Sequence, residues 1–422
     1  MSETVRPTAA QAHANLHAVL HLVAGGRLRC SETTRRPAAA TVAAVADVLD
    51  GGDFYPGEPI AAFAWPLLLQ AGGLAELAGG RLQLTDRGRT ALARPVAATI
   101  RQLWRSWVTT TVLDEFNRID QVKGQRAANV LTSVKTRRKA VAIALVGCPR
   151  DEWIAIDDLF ATMRRKRETS PTVARSERAL WKLYLVDPQY GSLGYAGFAD
   201  WPILEGRYTL AVLFEYAATL GLIDVDYTAP AGARTDYHDN WGADDLDYLS
   251  RYDGLSGIRV NPLGACALGL TGDYQPPAST TVPERTLKVL PTLDIVAVGD
   301  PTAADRLVLD AHAEHASDRV WTVRAHTRPQ SLWRVGRRAG GGAESLVPRG
   351  VSGRAHGNPR SASRACAATH DAVSVRLPCT PRNSGPAARC CTGTRRRAAP
   401  GPGQSRVPGG LPADRAAGGP PG

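Results

Sequence analysis

One phrase occurs twice in this chain, and its spacing limits what the polypeptide can become. The first copy runs Leu67-Leu68-Leu69, Gly73-Leu74, Leu82-Gln83-Leu84-Thr85, then Gly88 and Leu92. The second runs Val212-Leu213-Phe214, Gly221-Leu222, Ile258-Arg259-Val260-Asn261, then Gly264 and Leu268, with the last two residues at the same offsets from the polar residue. An apolar helix that stops at Gly can close through a left-handed residue without a Cβ penalty, and the following Leu then turns back onto the core. Leu82 and Leu84, like Ile258 and Val260, alternate with Arg81, Gln83 and Arg259, as a half-buried strand requires. Thr85 and Asn261 are good N-caps, and Pro262 suits a first helical position. Each copy therefore predicts a helix, a corner, a β-hairpin and a capped helix.

That order is the order of a winged helix, and it sets the expected fold class: α+β, mostly helical, with two winged-helix units. The stripe Leu16, Val19, Leu20 and Val23 predicts a helix over 9–25. A second helix follows Pro37, and Pro56 to Gln70 leads into the corner, giving a first winged-helix domain at 9–95. Residues 96–125 read as a connecting helix carrying Trp104 and Trp107. The second winged-helix domain is expected at 126–272, beginning with a helix over about 127–145. Its wing is interrupted by an insertion at 228–256, far longer than most hairpin loops. Residues 284–325 read as a small strand-helix-strand module, with Leu287 to Val296 as its first strand and Ala303 to His315 as its helix.

The net charge of +11 suggests an acidic partner, but its location matters more than its size. Residues 331–422 hold 15 Arg and no Lys against Glu344, Asp371 and Asp414, a net +12, so residues 1–330 carry about −1. Bulk charge is thus no argument for nucleic-acid binding by the body. The tail at 328–422, rich in Arg, Gly, Pro and Ala, is too poor in large apolar residues to offset its ordering entropy and is expected to be disordered. Its composition is also that of a GC-rich gene translated out of register. Cys30, Cys148 and Cys266 show neither zinc nor disulfide spacing. Residues 1–12 lack an apolar signal core, and the longest apolar run, Ala140 to Val146, is too short to span a bilayer. The expectation is a cytoplasmic protein with no membrane contact and no cofactor.

Four groups of residues invite a chemical reading. Asp114-Glu115 follows an apolar stretch as Mg²⁺-binding acids do in helicases, yet no G-x-x-x-x-G-K-[ST] loop accompanies it, so a helix with exposed acids is expected. His13, His17 and His21 line one side of the first helix, on the flank of its apolar stripe, as core-rim histidines do; with Cys30 they could instead share a metal. Asp236, His238, Asp239, Asp244, Asp245 and Asp247 crowd the wing insertion, and could hold Mg²⁺ for phosphodiester cleavage or form a solvated acidic loop. An acidic wing would also repel phosphates. The dense basic runs of the body are Lys135, Arg137, Arg138, Lys139 and Arg164, Arg165, Lys166, Arg167; with Arg81, Arg87 and Arg89 around the first wing they are the candidate nucleic-acid contacts.

The stretch Leu249-Ser250-Arg251-Tyr252-Asp253-Gly254-Leu255, then Ile258 to Ala265 and Leu287 to Pro291, resembles actinobacterial proteins with an XPB-type helicase-associated domain over about 205–325. The resemblance implies a winged helix followed by a strand-helix-strand module and a DNA-linked accessory role beside a helicase, although no helicase motor follows here. The expected function is accordingly non-catalytic DNA binding, with DNA as the partner and a helicase or another protein as a second candidate. The rivals are a docking scaffold without nucleic acid and a metal-dependent nuclease built on 236–247.

Overall fold

Both glycine corners close as left-handed turns in the computed structural model, which describes residues 3–195, 197, 200–275, 286–290, 292 and 294–323, all within the first of two units, Met1–Leu346. Gly73 has φ +66° and Gly221 φ +72°. The next residues return to the helix just left: Leu74 N–H donates to Leu69 O and Leu222 N–H to Ala217 O, both at 2.9 Å. Thr85 and Asn261 accept the N–H of Gly88 and Gly264 at 3.1 and 2.9 Å. The repeated phrase therefore encodes the same hydrogen-bonded unit twice.

The first copy is built from α1 (Ala9–Ala24), α2 (Ala39–Ala46), α3 (Ala61–Ala71), the hairpin of β2 (Ala75–Ala78) and β3 (Arg81–Leu84), and α4 (Asp86–Ala91). A short strand, β1 (Thr4–Arg6), precedes them. Gly79 and Gly80, both at positive φ, form the two-residue turn between Ala78 and Arg81. All four residues of the predicted α1 stripe are buried.

The helix α5 (Val96–Thr109) is shorter than the expected 96–125. The β-branched run Thr109 to Val112 follows, and then a 3₁₀ turn, Glu115–Arg118, capped by Asp114. The next helix, α6 (Val134–Val146), starts later than 127, because the backbone before it is spent on a distant strand-like segment. Thr132 N–H donates to Val173 O, and Arg175 N–H to Val130 O. Then come β4 (Trp153–Ala155), α7 (Ile156–Arg165) and α8 (Glu177–Leu180). A continuous buried helix contains α9 (Arg207–Ala211) between two π-helical stretches, Pro202–Gly206 and Val212–Ala218. It leads through Gly221-Leu222 to β5 (Ile223–Tyr227), the insertion 228–254, β6 (Leu255–Val260) and α10 (Pro262–Leu268).

The sheet order β1-β5-β6-β4 is antiparallel throughout and recruits the amino-terminal strand to the second copy. Buried side chains of both copies, from Leu16 on α1 to Ala267 on α10, form one continuous apolar cluster. Residues 96–125 are therefore no seam between two cores: Trp104, Trp107 and Phe116 lie within the shared one. The fold is a mixture of helix and strand. No helix among the described residues is long and apolar enough to cross a membrane.

The last module has more strands than expected. Leu287 to Val296 is a hairpin, β7 (Thr286–Val289) and β8 (Asp294–Val298), turned where Leu290 N–H donates to Asp294 O. After α11 (Ala303–His312) the chain forms β9 (Ala313–Ser317) and β10 (Val320–Val323), so His315 belongs to a strand that pairs with Trp321. The disorder expected at 328–422 lies outside the described residues.

Candidate nucleic-acid interface and the buried ion network

The basic run on α6 divides by helical phase. Lys135 and Lys139, four residues apart, are exposed, whereas Arg137 and Arg138 are completely buried. These two arginines are corrected as nucleic-acid contacts because both guanidiniums are occupied inside. Arg137 forms a two-pronged pair with Asp114 and lies 4.7 Å over the Tyr208 ring. Arg138 donates to the carbonyls of Trp107, Thr110 and Leu113, capping the open end of α5, and its Nε meets Glu115. The acids Asp114 and Glu115 are thus not exposed on a helix as expected; Glu115 is fully buried and also accepts from Trp107 Nε1 and Tyr208 OH.

Three further pairings extend the network through the shared core. Glu215, in the second π stretch, meets Arg118 and accepts from the hydroxyls of Tyr216 and Tyr252. Arg207 bridges Asp236 and Asp253. Arg251 joins Glu58 to Asp120. Burial opposes the charge of Arg138, but Glu115 outweighs it, and the arginine pKa rises. Burial raises the Glu215 carboxyl despite Arg118. Glu115, Glu215 and Asp253 are fully buried and each accepts from several donors, so the network fastens elements together. Stripping one partner from such a pair typically costs about 3–5 kcal/mol, because the other charge stays buried.

The acidic insertion does not form the metal centre weighed for it. Asp236 is taken by Arg207 and Arg234, while His238 and Asp239 point to solvent. Among the described residues no group of three His, Cys, Asp or Glu side chains is placed to hold a metal. His13, His17 and His21 sit half-buried on the flank of α1, and burial lowers the His13 pKa. Cys30 and Cys148 are buried, and burial pushes both thiols up to about 11, which keeps them from being nucleophilic at neutral pH.

The remaining basic candidates are on the surface. Arg164, Arg165, Lys166 and Arg167 run off the end of α7, all exposed and with no ion-pair partner among the described residues. Arg81 and Arg87 are exposed on β3 and α4, and Arg89 is held by Asp86 at 2.9 Å. On the second hairpin Arg259 is neutralised by Asp224 and covers Trp153. The basic residues therefore lie on separate elements, and among the described residues no hydrogen bond or ion pair joins those elements through them. The sequence reading missed Glu205, Arg207 and Glu215, although charges within an apolar helix do signal paired burial.

No family model, curated protein or solved structure matches the chain.

Proposed function

We propose that this protein binds nucleic acid without catalysing its chemistry, as an accessory factor in the cytoplasm. The observation that carries this reading is the contrast among its arginines. Arg118, Arg137, Arg138, Arg207, Arg251 and Arg259 all face carboxylates, while Arg164 to Arg167 stand exposed and unpaired among the described residues. A row of un-neutralised cations is what phosphate binding needs, and the exposed Lys135, Lys139, Arg81 and Arg87 supply more. The two helix-corner-hairpin-cap units support a winged-helix interpretation. The resemblance to helicase-associated proteins, which rests on the residues quoted for it, supplies the accessory role.

The test is anisotropy of a labelled 20-bp duplex with the full chain across a salt series, beside a variant carrying Arg164→Glu, Arg165→Glu, Lys166→Glu and Arg167→Glu. The expected result is weaker binding, with the slope of log K against log salt reduced by roughly three to four. An unchanged slope would assign any affinity to cations elsewhere and end this reading of the α7 run.

A further inference from the structure

Four large aromatic side chains are exposed as two contacting pairs in the second half of the chain. Trp181 and Tyr195 pack edge to face at 4.9 Å, and Tyr190 and Trp241 meet at 5.1 Å. The Tyr195 hydroxyl donates to the carbonyl of Gln189, the neighbour of Tyr190, which joins the pairs into one strip. The four are 49, 68, 52 and 56 % exposed, although rings of this size in a monomer usually bury most of their surface. The strip is rigidly seated. Leu185 N–H donates to Gly191 O and Leu193 N–H to Leu183 O, while Ser192 Oγ donates to Trp181 O. The Trp181 indole lies directly on Gly194, where an added Cβ would come within 2.3 Å of the ring.

We infer that this strip is a docking surface for a basic, proline-rich segment of a partner protein in the polyproline II conformation. Such a segment carries no internal hydrogen bonds, and its prolines offer carbonyls and apolar ring faces but no N–H. Its receptor must therefore supply flat aromatic surface and donors. The indole N–H groups of Trp181 and Trp241 and the Tyr190 hydroxyl donate to nothing among the described residues. Charge selects the rest of the ligand. Asp239, Asp244 and Asp245 lie within four residues of Trp241 in the sequence, exposed and without an ion pair among the described residues, which suits arginine or lysine next to the prolines. The same carboxylates argue against a single-stranded nucleic acid on these rings, because they repel its phosphates.

The test uses the full chain and a fluorescein-labelled dodecapeptide of repeating Arg-Pro-Pro, with an Arg-Ala-Ala peptide of equal charge and labelled oligo(dT) as competing probes. The Arg-Pro-Pro peptide is expected to bind with a Kd in the micromolar range, roughly 10–100 μM. Trp241→Ala and Trp181→Ala should each weaken it about tenfold, as aromatic anchors do. Gly194→Ala retains every ring but displaces one, and should act like Trp181→Ala. Asp244→Asn with Asp245→Asn should weaken binding about threefold and flatten its salt dependence. Unchanged far-UV circular dichroism would place these losses at the surface. Equal affinity for the Arg-Ala-Ala peptide, no binding at roughly 1 mM, or oligo(dT) binding that the same tryptophan variants abolish would each overturn the proposal.

Discussion

Glu205 shows how a single buried side chain makes a measurable demand on the molecule. Its carboxylate accepts the Val173 N–H at 2.9 Å, yet burial pushes its pKa up to about 7. A carboxyl that holds its proton more tightly folded than unfolded makes the native state bind more protons between about 4.5 and about 7. Stability then falls as pH rises through that window and levels off above it, by at most on the order of 3 kcal/mol. The raised Glu215 works in the same direction, while His13, lowered by burial, disfavours the native state on the acid side. Comparing Glu205→Gln with the wild type isolates the one group, since the amide still accepts from Val173. Urea melts at pH 5 and pH 8 should show a smaller pH difference in the variant; identical differences would remove Glu205 from the account. Only part of this was legible beforehand. A glutamate in the sequence Ile203-Leu204-Glu205-Gly206 signals burial with a partner, but nothing near it names that partner, because Val173 lies 32 residues back in the chain.

The glycines of the capped helices, by contrast, were marked by the repeat itself, and the structure explains their place. A Cβ on Gly88 would sit 2.0 Å from Leu74 O, and one on Gly264 would sit 1.8 Å from Leu222 O. The capped helix lies against the backbone of the Gly-Leu corner, and only glycine lets it approach so closely. Gly88→Ala and Gly264→Ala should therefore each destabilise by about 2–4 kcal/mol in denaturant unfolding. Thr85→Ala, which removes only the cap, should cost about 1 kcal/mol. A loss at Gly88 no larger than at Thr85 would contradict the close packing. Corner, cap and strand alternation were readable because their chemistry spans a few residues. The end of α5 was not. It is fixed by Arg138, whose guanidinium collects carbonyls some thirty residues upstream, and no local pattern announces such a partner.

Contacts across the two copies set how the molecule must fold. The strand β1 pairs with β5, and Thr8 N–H donates to Asp224. The Tyr55 hydroxyl donates to Thr228 O, the Arg101 guanidinium donates to Cys266 O, and Arg118 and Arg251 carry ion pairs from one copy to the other. Periodicity in the sequence identifies each copy but cannot tell whether two apolar faces are buried separately or against each other, so two domains were expected where one core exists. A fragment ending at residue 125 would strip Trp107 of the stacked Tyr216 ring and of Arg138, and would strand Glu115 without Arg138. Fragments 1–125 and 126–275, prepared apart, are therefore expected to show far-UV helix signal but weak near-UV signal and no cooperative urea transition. The intact chain should lose its core structure in one transition. A sharp, independent transition in fragment 1–125 would show that the first copy closes its own core, and the ion network would then be an interface between finished domains.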